Sequence, residues 1–249
     1  MHGDASYNYT RLIDENNAGE QADRLLHKGV FRIAGNHDDD FLANGVTYFD
    51  IFVTAGNLDL DGNTLYKLFD ELTAKTEGGF AKININISRL QHLYGSLSTY
   101  ISLSGQIASK NLDTSQKFYL GGPYSLAGYP TGEASGDDGA LFHADLRYDF
   151  YNLPWKGNLQ LSAFYSYGWT NIFHEPWDGW EGTNTIITND ITLQSFGIGL
   201  AQIWSNTMVI RAMYGLQIGD NDVRNPTTGE ASDGSSNDYR FWINTIFYF

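Results

Sequence analysis

Alternation of apolar and polar residues along this chain limits its possible folds more than any other feature. In residues 142–150, apolar side chains alternate with four polar ones, His143, Asp145, Arg147 and Asp149. Successive side chains of a β-strand point to opposite faces, so this stretch predicts a strand with one apolar and one polar face. The same alternation recurs in residues 81–88, 97–104 and 239–249.

The full pattern predicts ten strands joined by connections of two kinds. The strands are predicted at residues 5–13, 27–36, 45–56, 79–90, 94–106, 140–150, 158–170, 191–203, 207–218 and 239–249. Long connections are predicted at residues 14–27, 57–78, 107–139, 171–190 and 219–238, and short ones at 37–44, 91–93, 151–157 and 204–206. Alternating short turns and long loops are typical of a transmembrane barrel. We therefore predict an all-β fold, an antiparallel transmembrane β-barrel; the alternative is a soluble antiparallel sandwich with one wet face per sheet.

Composition and charge agree with strands that line an aqueous channel. The 249 residues include 27 glycines, no cysteine and 15% aromatic residues, and no apolar run approaches the ~20 residues of a membrane helix. The net charge of −14 arises mainly in predicted loops, and a nucleic-acid partner is not expected because duplex binding needs a contiguous basic surface. Basic residues instead share the polar strand face, where Asp50, Asp145 and Asp149 could pair with them. The predicted pore-lining residues are Lys82, Asn84, Asn86, His143, Asp145, Arg147, Arg211 and Arg240.

Motifs for catalysis, metal binding and phosphate binding are weak. Six histidines are scattered without an i, i+4 pair, and no nucleophile elbow marks a hydrolase. Residues 59–63 begin like a calcium loop, but residues 64–75 supply no correctly spaced closing glutamate. We interpret this segment as a turn followed by a short amphipathic helix that carries Leu65, Leu68, Phe69 and Leu72. No catalytic residue, metal or cofactor is therefore predicted.

A glycine-rich loop precedes the strand at residues 140–150, and its motif is specific. The loop contains, in order, Gly121, Gly122, Pro123, Gly128, Tyr129, Pro130, Gly132, Glu133 and Gly136. With the strands around it, this string resembles the C-terminal barrel of two-partner secretion transporters, the haemolysin secretion/activation or TpsB family. The resemblance covers roughly residues 45–249. It implies a family barrel of about sixteen strands, preceded by POTRA domains and a plug helix, so that residues 1–249 would be the last ten or so strands, without the POTRA region and the first strands.

The resemblance also implies a gate. In the family the long loop folds into the barrel, where an arginine in its tip motif pairs with an aspartate in a wall motif. Here Ala127 takes the place of the arginine and Ser166 that of the aspartate. Loss of one partner alone would leave a buried charge, at a cost of about 3–5 kcal/mol, whereas loss of both can be nearly neutral. We expect the loop to fold inward through Gly121, Gly122, Pro123, Leu126, Ala127, Gly128, Tyr129, Pro130 and Glu133, against an inner-wall motif of Phe164, Ser166 and Gly168.

The function implied by the resemblance is translocation of an unfolded exoprotein, of the haemolysin or adhesin type, across the bacterial outer membrane. The expected partners are this exoprotein and outer-membrane lipid, and no reaction would be catalysed. The alternative is a self-contained small barrel that acts as a passive pore, adhesin or hydrolase through its acidic loops. Residues 1–11 lack the layout of a secretory leader, so we expect that a leader has been removed or that the chain begins inside a longer protein.

Overall fold

Ten long strands form a single antiparallel sheet in which neighbours along the chain are neighbours in space. The computed structural model describes residues 1–16, 19–151, 153, 157–181, 188–204 and 207–248. Its elements are β1 (His2–Asn16), β2 (Gly19–Asp39), β3 (Gly45–Asp59), α1 (Thr64–Leu72), β4 (Gly78–Tyr94), β5 (Leu97–Ala108), β6 (Phe118–Leu120), β7 (Ala134–Gly136), β8 (Asp138–Phe150), β9 (Asn158–Asn171), β10 (Asp190–Trp204), β11 (Met208–Ile218) and β12 (Tyr239–Phe247).

All ten predicted strands and the predicted helix are present. The sheet runs in the order β1-β2-β3-β4-β5-β8-β9-β10-β11-β12, and β6 pairs only with β7. Among the described residues, β1 and β12 are therefore the two edges of the sheet. Phe249, the predicted end of the last strand, lies outside the described residues. No described helix is both long enough and apolar enough to cross a lipid bilayer.

The prediction of a long connection at residues 14–27 is wrong. β1 and β2 continue through this segment and are separated only by residues 17–18. Charged residues there pair between strands: Arg11 binds Asp23 at 2.5 Å, and Arg24 binds Asp14 at 2.6 Å. Because opposite charges on neighbouring strands stabilise their pairing, the polar composition that suggested a loop is compatible with an extended hairpin.

The other connections follow the predicted alternation. Residues 60–77, 109–137, 172–189 and 219–238 make four long connections at one rim of the sheet. Residues 40–44, 95–96, 151–157 and 205–207 make the short connections at the opposite rim. The sheet therefore has one rim of short turns and another dominated by long loops, as in transmembrane barrels.

The two faces of the sheet differ in the way that the alternation predicts. Large apolar side chains on the outer face are exposed, and they include Ile83, Ile85, Ile87, Leu146, Ile198, Phe241 and Ile243. The inner face carries polar and small residues and is covered in part by the long loops. Buried apolar residues form two clusters between loops and inner wall. One contains Leu26, Leu58, Leu60, Phe80, Ala108 and Leu112, and the other Leu120, Leu126, Tyr129, Ala134, Ile191 and Leu193.

Candidate functional site

Residues 109–137, here called the inner loop, cross the inner face of the sheet between β5 and β8. Pairing of β6 with β7 holds its two arms together, with Tyr119 opposite Ser135. The tip between them is closed by its own backbone, because the Gly122 N–H donates to the Tyr129 carbonyl at 3.1 Å. Gly121 has a φ of 103°, and a Cβ at this position would collide with the Pro130 carbonyl. A glycine is therefore required at the start of the tip.

Burial of apolar side chains holds the tip against the inner face of the sheet. Leu120, Leu126 and Tyr129 are fully buried, and they pack with Ile191 and Leu193 of the β10 inner face. Full burial of an apolar side chain of this size contributes roughly 1.5–3 kcal/mol. Burial also raises the pKa of the Tyr129 phenol to about 12, so this side chain is neutral across the physiological range. The tip is thus seated mainly by neutral, apolar contacts.

Two glycines let the tip approach the backbone of the wall. Gly128 faces β11 so closely that a Cβ there would lie 2.6 Å from the Leu216 carbonyl carbon. Gly215 of β11 faces the tip in the same way, since a Cβ on it would collide with the Ala127 backbone. The Trp242 indole N–H donates to the Ala127 carbonyl at 2.8 Å, and the Gln217 amide donates to the Gly128 carbonyl at 3.1 Å. These two polar anchors of the tip lie on β11 and β12.

The wall motif on β9 contacts the tip through packing rather than through Ser166. A Cβ on Gly168 would lie 2.8 Å from the side-chain carbons of both Leu120 and Leu126, so the absence of a side chain makes room for these leucines. Ser166 is fully buried, and its hydroxyl bonds to Nδ1 of His143 at 2.8 Å. Phe164 lines the same cavity as Ala127. Tip and wall meet here, but the hydrogen bonds of the tip go to other strands.

Glu133 ties the inner loop to the long connection at residues 219–238. Its side chain is 3% exposed and accepts hydrogen bonds from the Asn221 amide and, at 2.9 Å, from the Ser232 N–H. A buried carboxylate with two donors is a strong anchor because charge-assisted hydrogen bonds exceed neutral ones in strength. The loop motif includes Glu133, but the sequence does not indicate its partners, because Asn221 and Ser232 lie 88 and 99 residues further along the chain.

A buried ion pair fixes the base of the inner loop. The Lys117 ammonium lies 3.1 Å from the Asp137 carboxylate, and both side chains are almost fully buried. Asp137 also accepts the N–H groups of Leu112 and His174 at 3.1 and 2.9 Å. The Lys117 ammonium lies 4.3 Å from the centre of the Phe173 ring, within the range of a cation–π interaction. The base is therefore linked to the connection that follows β9.

Beneath the tip, on the side of the short turns, lies a cavity of about 480 Å³. His143, Asp145, Arg147 and Arg211 line it, together with Tyr100 and Phe164. Of the other predicted pore-lining residues, Asn86 lies in an adjoining cavity. Lys82 and Asn84 both donate to Gln106 of β5, and Lys82 also donates to the Gln116 carbonyl of the inner loop at 2.6 Å. Arg240 binds Asp233 at 3.1 Å, near the long-loop rim.

Most of the basic inner face is paired with acids. Arg32 binds Asp50 and Arg147 binds Asp145, both at 2.7 Å. Within the described ranges, no ion pair involves Arg211, which leaves one free guanidinium beneath the tip. Asp149 accepts a hydrogen bond from the Gln160 amide at 3.0 Å instead of pairing with a base. Lys28 and Lys82 bind neutral acceptors on Gln106 and Gln116. The inner face is therefore a mixture of local ion pairs and separate cations rather than a continuous basic stripe.

The segment that begins like a calcium loop is a turn before α1. Asn63 caps the helix, because its side-chain oxygen accepts the Tyr66 N–H at 3.0 Å. Carboxylate oxygens of Asp59, Asp61 and Glu77 lie close enough to share an ion. The Lys67 ammonium, however, binds Asp61 and Glu77, each at 2.7 Å. These two hydrogen bonds raise the pKa of Lys67, so the ammonium stays charged and offsets part of the negative charge of the cluster.

Comparisons with known proteins agree with this architecture. A family model described as "Haemolysin secretion/activation protein ShlB/FhaC/HecB" matches residues 33–178, which is more than half of the chain. The chain is 26% identical over 242 residues to the "Heme/hemopexin transporter protein HuxB" of Haemophilus influenzae strain 86-028NP, covering 97% of this chain and 40% of that protein. HuxB of strain Rd gives the same identity and coverage.

A solved structure shows the same fold. CdiB from Escherichia coli superimposes with a TM-score of 0.61 at 16% identity, covering 98% of this chain and 45% of that chain. The ten strands are thus part of a transmembrane β-barrel. This chain spans about 40% of the length of the curated relatives.

Proposed function

We propose that this chain, which belongs to the haemolysin secretion/activation protein family, contributes the translocation pore for an unfolded exoprotein in two-partner secretion. The family acts in the bacterial outer membrane, and the exposed apolar face of the sheet suits that lipid environment. The observation that carries the proposal is the inner loop, whose tip is seated on the inner wall where a translocating chain would have to pass. No catalytic chemistry is part of the proposed function.

In this proposal the 249 residues are one segment of a barrel that further strands complete. Support comes from the two free edges, since β1 and β12 do not pair with each other among the described residues. The relatives are also more than twice as long as this chain. POTRA domains and the first strands would belong to the part of the protein that precedes this segment.

The inner loop would act as a gate that opens without breaking a buried ion pair at its tip. Ala127 and Ser166 stand where the family has an arginine and an aspartate, and neither can carry a charge. The hydrogen bonds from Trp242 and Gln217 are neutral ones, each worth roughly 0.5–1.5 kcal/mol net. Opening would break these bonds and expose the leucines of the tip. The base, where Lys117 binds Asp137, would stay in place as a hinge.

Secretion of the partner exoprotein tests this function. We expect the partner exoprotein to reach the medium when both genes are expressed, and to stay in the periplasm when this gene is deleted. Restoring the gene on a plasmid should restore secretion, and an unrelated outer-membrane porin should not. Equal amounts of exoprotein in the medium with and without the gene would contradict the proposal and favour a self-contained passive barrel.

Epitope tags test the proposed orientation. Tags near Asp61, Asp178 and Asn225 lie in long connections and should be reached by antibody on intact cells. Tags near Asp39 and Tyr94 lie at the short-turn rim and should be reached only after the outer membrane is opened. Labelling of both sets on intact cells would contradict this orientation and the barrel itself, because the two rims of a barrel lie on opposite sides of the membrane.

A further inference from the structure

Helix α1 is held rigidly at the long-loop rim. Tyr66 packs against the cluster formed by Leu26 and its neighbours. The Asp70 carboxylate is buried and accepts the N–H groups of Thr76 and Glu77, both at 3.0 Å. Because these contacts fix one side of the helix, they also fix the direction in which its other side points.

The opposite side of α1 is apolar and exposed. The exposed fractions are 79% for Leu65, 52% for Leu68, 67% for Phe69 and 72% for Leu72. Positions i, i+3, i+4 and i+7 lie on one face of a helix. Four large apolar side chains therefore form a continuous surface that no described part of the chain covers. Such a surface marks a contact with a partner or a membrane.

The direction in which this apolar surface points indicates what it can contact. Tyr66 packs against a cluster that includes Leu26, Leu58 and Phe80, which lie on the face of the sheet that the inner loop covers. At about 100° per residue, the centre of the apolar surface is roughly 130° away from the buried side of the helix. The surface therefore points away from the channel, and a chain that passes through the channel would not meet it.

Below α1 the barrel already faces lipid. The helix joins β3 to β4, and these two strands present Val53, Ile83 and Ile85 on the outer face. We propose that the apolar surface of α1 rests in the outer leaflet of the outer membrane and continues the lipid contact of β3 and β4 above the strand ends. An amphipathic helix in this position lies parallel to the membrane, with its apolar side in the acyl region. This proposal depends on the membrane location of the barrel and not on translocation.

Site-specific fluorescence tests the contact directly. The 249 residues contain no cysteine, so one engineered cysteine can carry an environment-sensitive dye. Leu68→Cys and Leu72→Cys report the apolar surface, and the exposed Thr64→Cys and Glu71→Cys are matched controls on the same helix. The labelled protein is studied as inserted in outer membranes and in vesicles with nitroxide lipids, with iodide as the aqueous quencher. Heat-modifiable gel mobility confirms that each variant is folded.

We expect blue-shifted emission at Leu68→Cys and Leu72→Cys, with strong quenching by nitroxide lipid and weak quenching by iodide. The controls should show the reverse. Iodide quenching of equal strength at all four positions would overturn the proposal, because the surface would then face water. Blue-shifted emission without nitroxide quenching would also overturn it, since a protein partner or a second copy would then cover the helix.

Discussion

Replacement of Gly128 by alanine is the sharpest test of how the inner loop is seated. The added Cβ would lie 2.6 Å from the Leu216 carbonyl carbon and 2.8 Å from the Gln217 nitrogen. Both atoms belong to the wall backbone, so no rotamer change can relieve the collision. Overpacking of this kind costs roughly 1–3 kcal/mol.

Lifting of the tip would relieve this collision, but it breaks the hydrogen bonds from Trp242 and Gln217, worth roughly 1–3 kcal/mol together, and exposes the leucines of the tip. These costs of opening are the same in the parent protein. The added strain of the seated state should therefore raise the population of the unseated loop by about fivefold to 150-fold. Gly105→Ala is the matched control, because its Cβ would meet nothing nearer than a carbonyl oxygen at 3.5 Å.

Planar-bilayer recordings and limited proteolysis measure this population. Gly128→Ala should open more often and should be cleaved faster within residues 109–137 than the parent, while Gly105→Ala should match the parent. If Gly128→Ala opens and is cleaved like the parent, then the close approach of the tip to β11 does not hold the gate, and the reasoning fails.

Three further predictions concern the wall and the loop. Ile85→Arg should destabilise the inserted protein by roughly 2–4 kcal/mol if the residue lies near the bilayer midplane, whereas Asn86→Arg on the inner face should have little effect in heat-modifiability assays. Glu133→Ala leaves two donors without an acceptor and should cost about 1–3 kcal/mol; urea unfolding checks this, and an unchanged midpoint would contradict it. Ser166→Asp should impair folding or conductance, and added Ala127→Arg should restore much of the loss through a charge-assisted pair. Additive effects in that double-mutant cycle would show that a side chain at position 127 does not reach position 166 on this wall.

The strands could be predicted from the sequence because the signal for each is local. In residues 81–88, three isoleucines alternate with lysine, asparagine and serine, and a strand with one lipid-facing side is the structure that this pattern allows. The end of the β1–β2 hairpin was not predicted because Asp14, Asp23 and Arg24 look like loop residues until their partners on the neighbouring strand are known.

The anchors of the inner loop could not be predicted because they come from distant parts of the chain. Ala127 and Trp242 are 115 residues apart, and their contact depends on the order of the strands. One signal was present in the sequence: Trp242 lies on the polar side of the last strand. A tryptophan on an inner face needs a neighbouring segment that packs against its ring and an acceptor for its indole N–H.

A reversible lock on the inner loop tests the central claim most directly. A Cβ on Gly168 would lie 2.8 Å from Cδ1 of Leu126, so the two positions are neighbours, and disulfide formation in Leu126→Cys combined with Gly168→Cys, which requires Cβ atoms roughly 3.5–4.5 Å apart, is first checked by gel mobility with and without reductant. We predict that the oxidised protein shows no large openings in planar bilayers and that reductant restores them in the same channel. Openings of full size while the disulfide is intact would contradict the claim that the seated inner loop closes the pore.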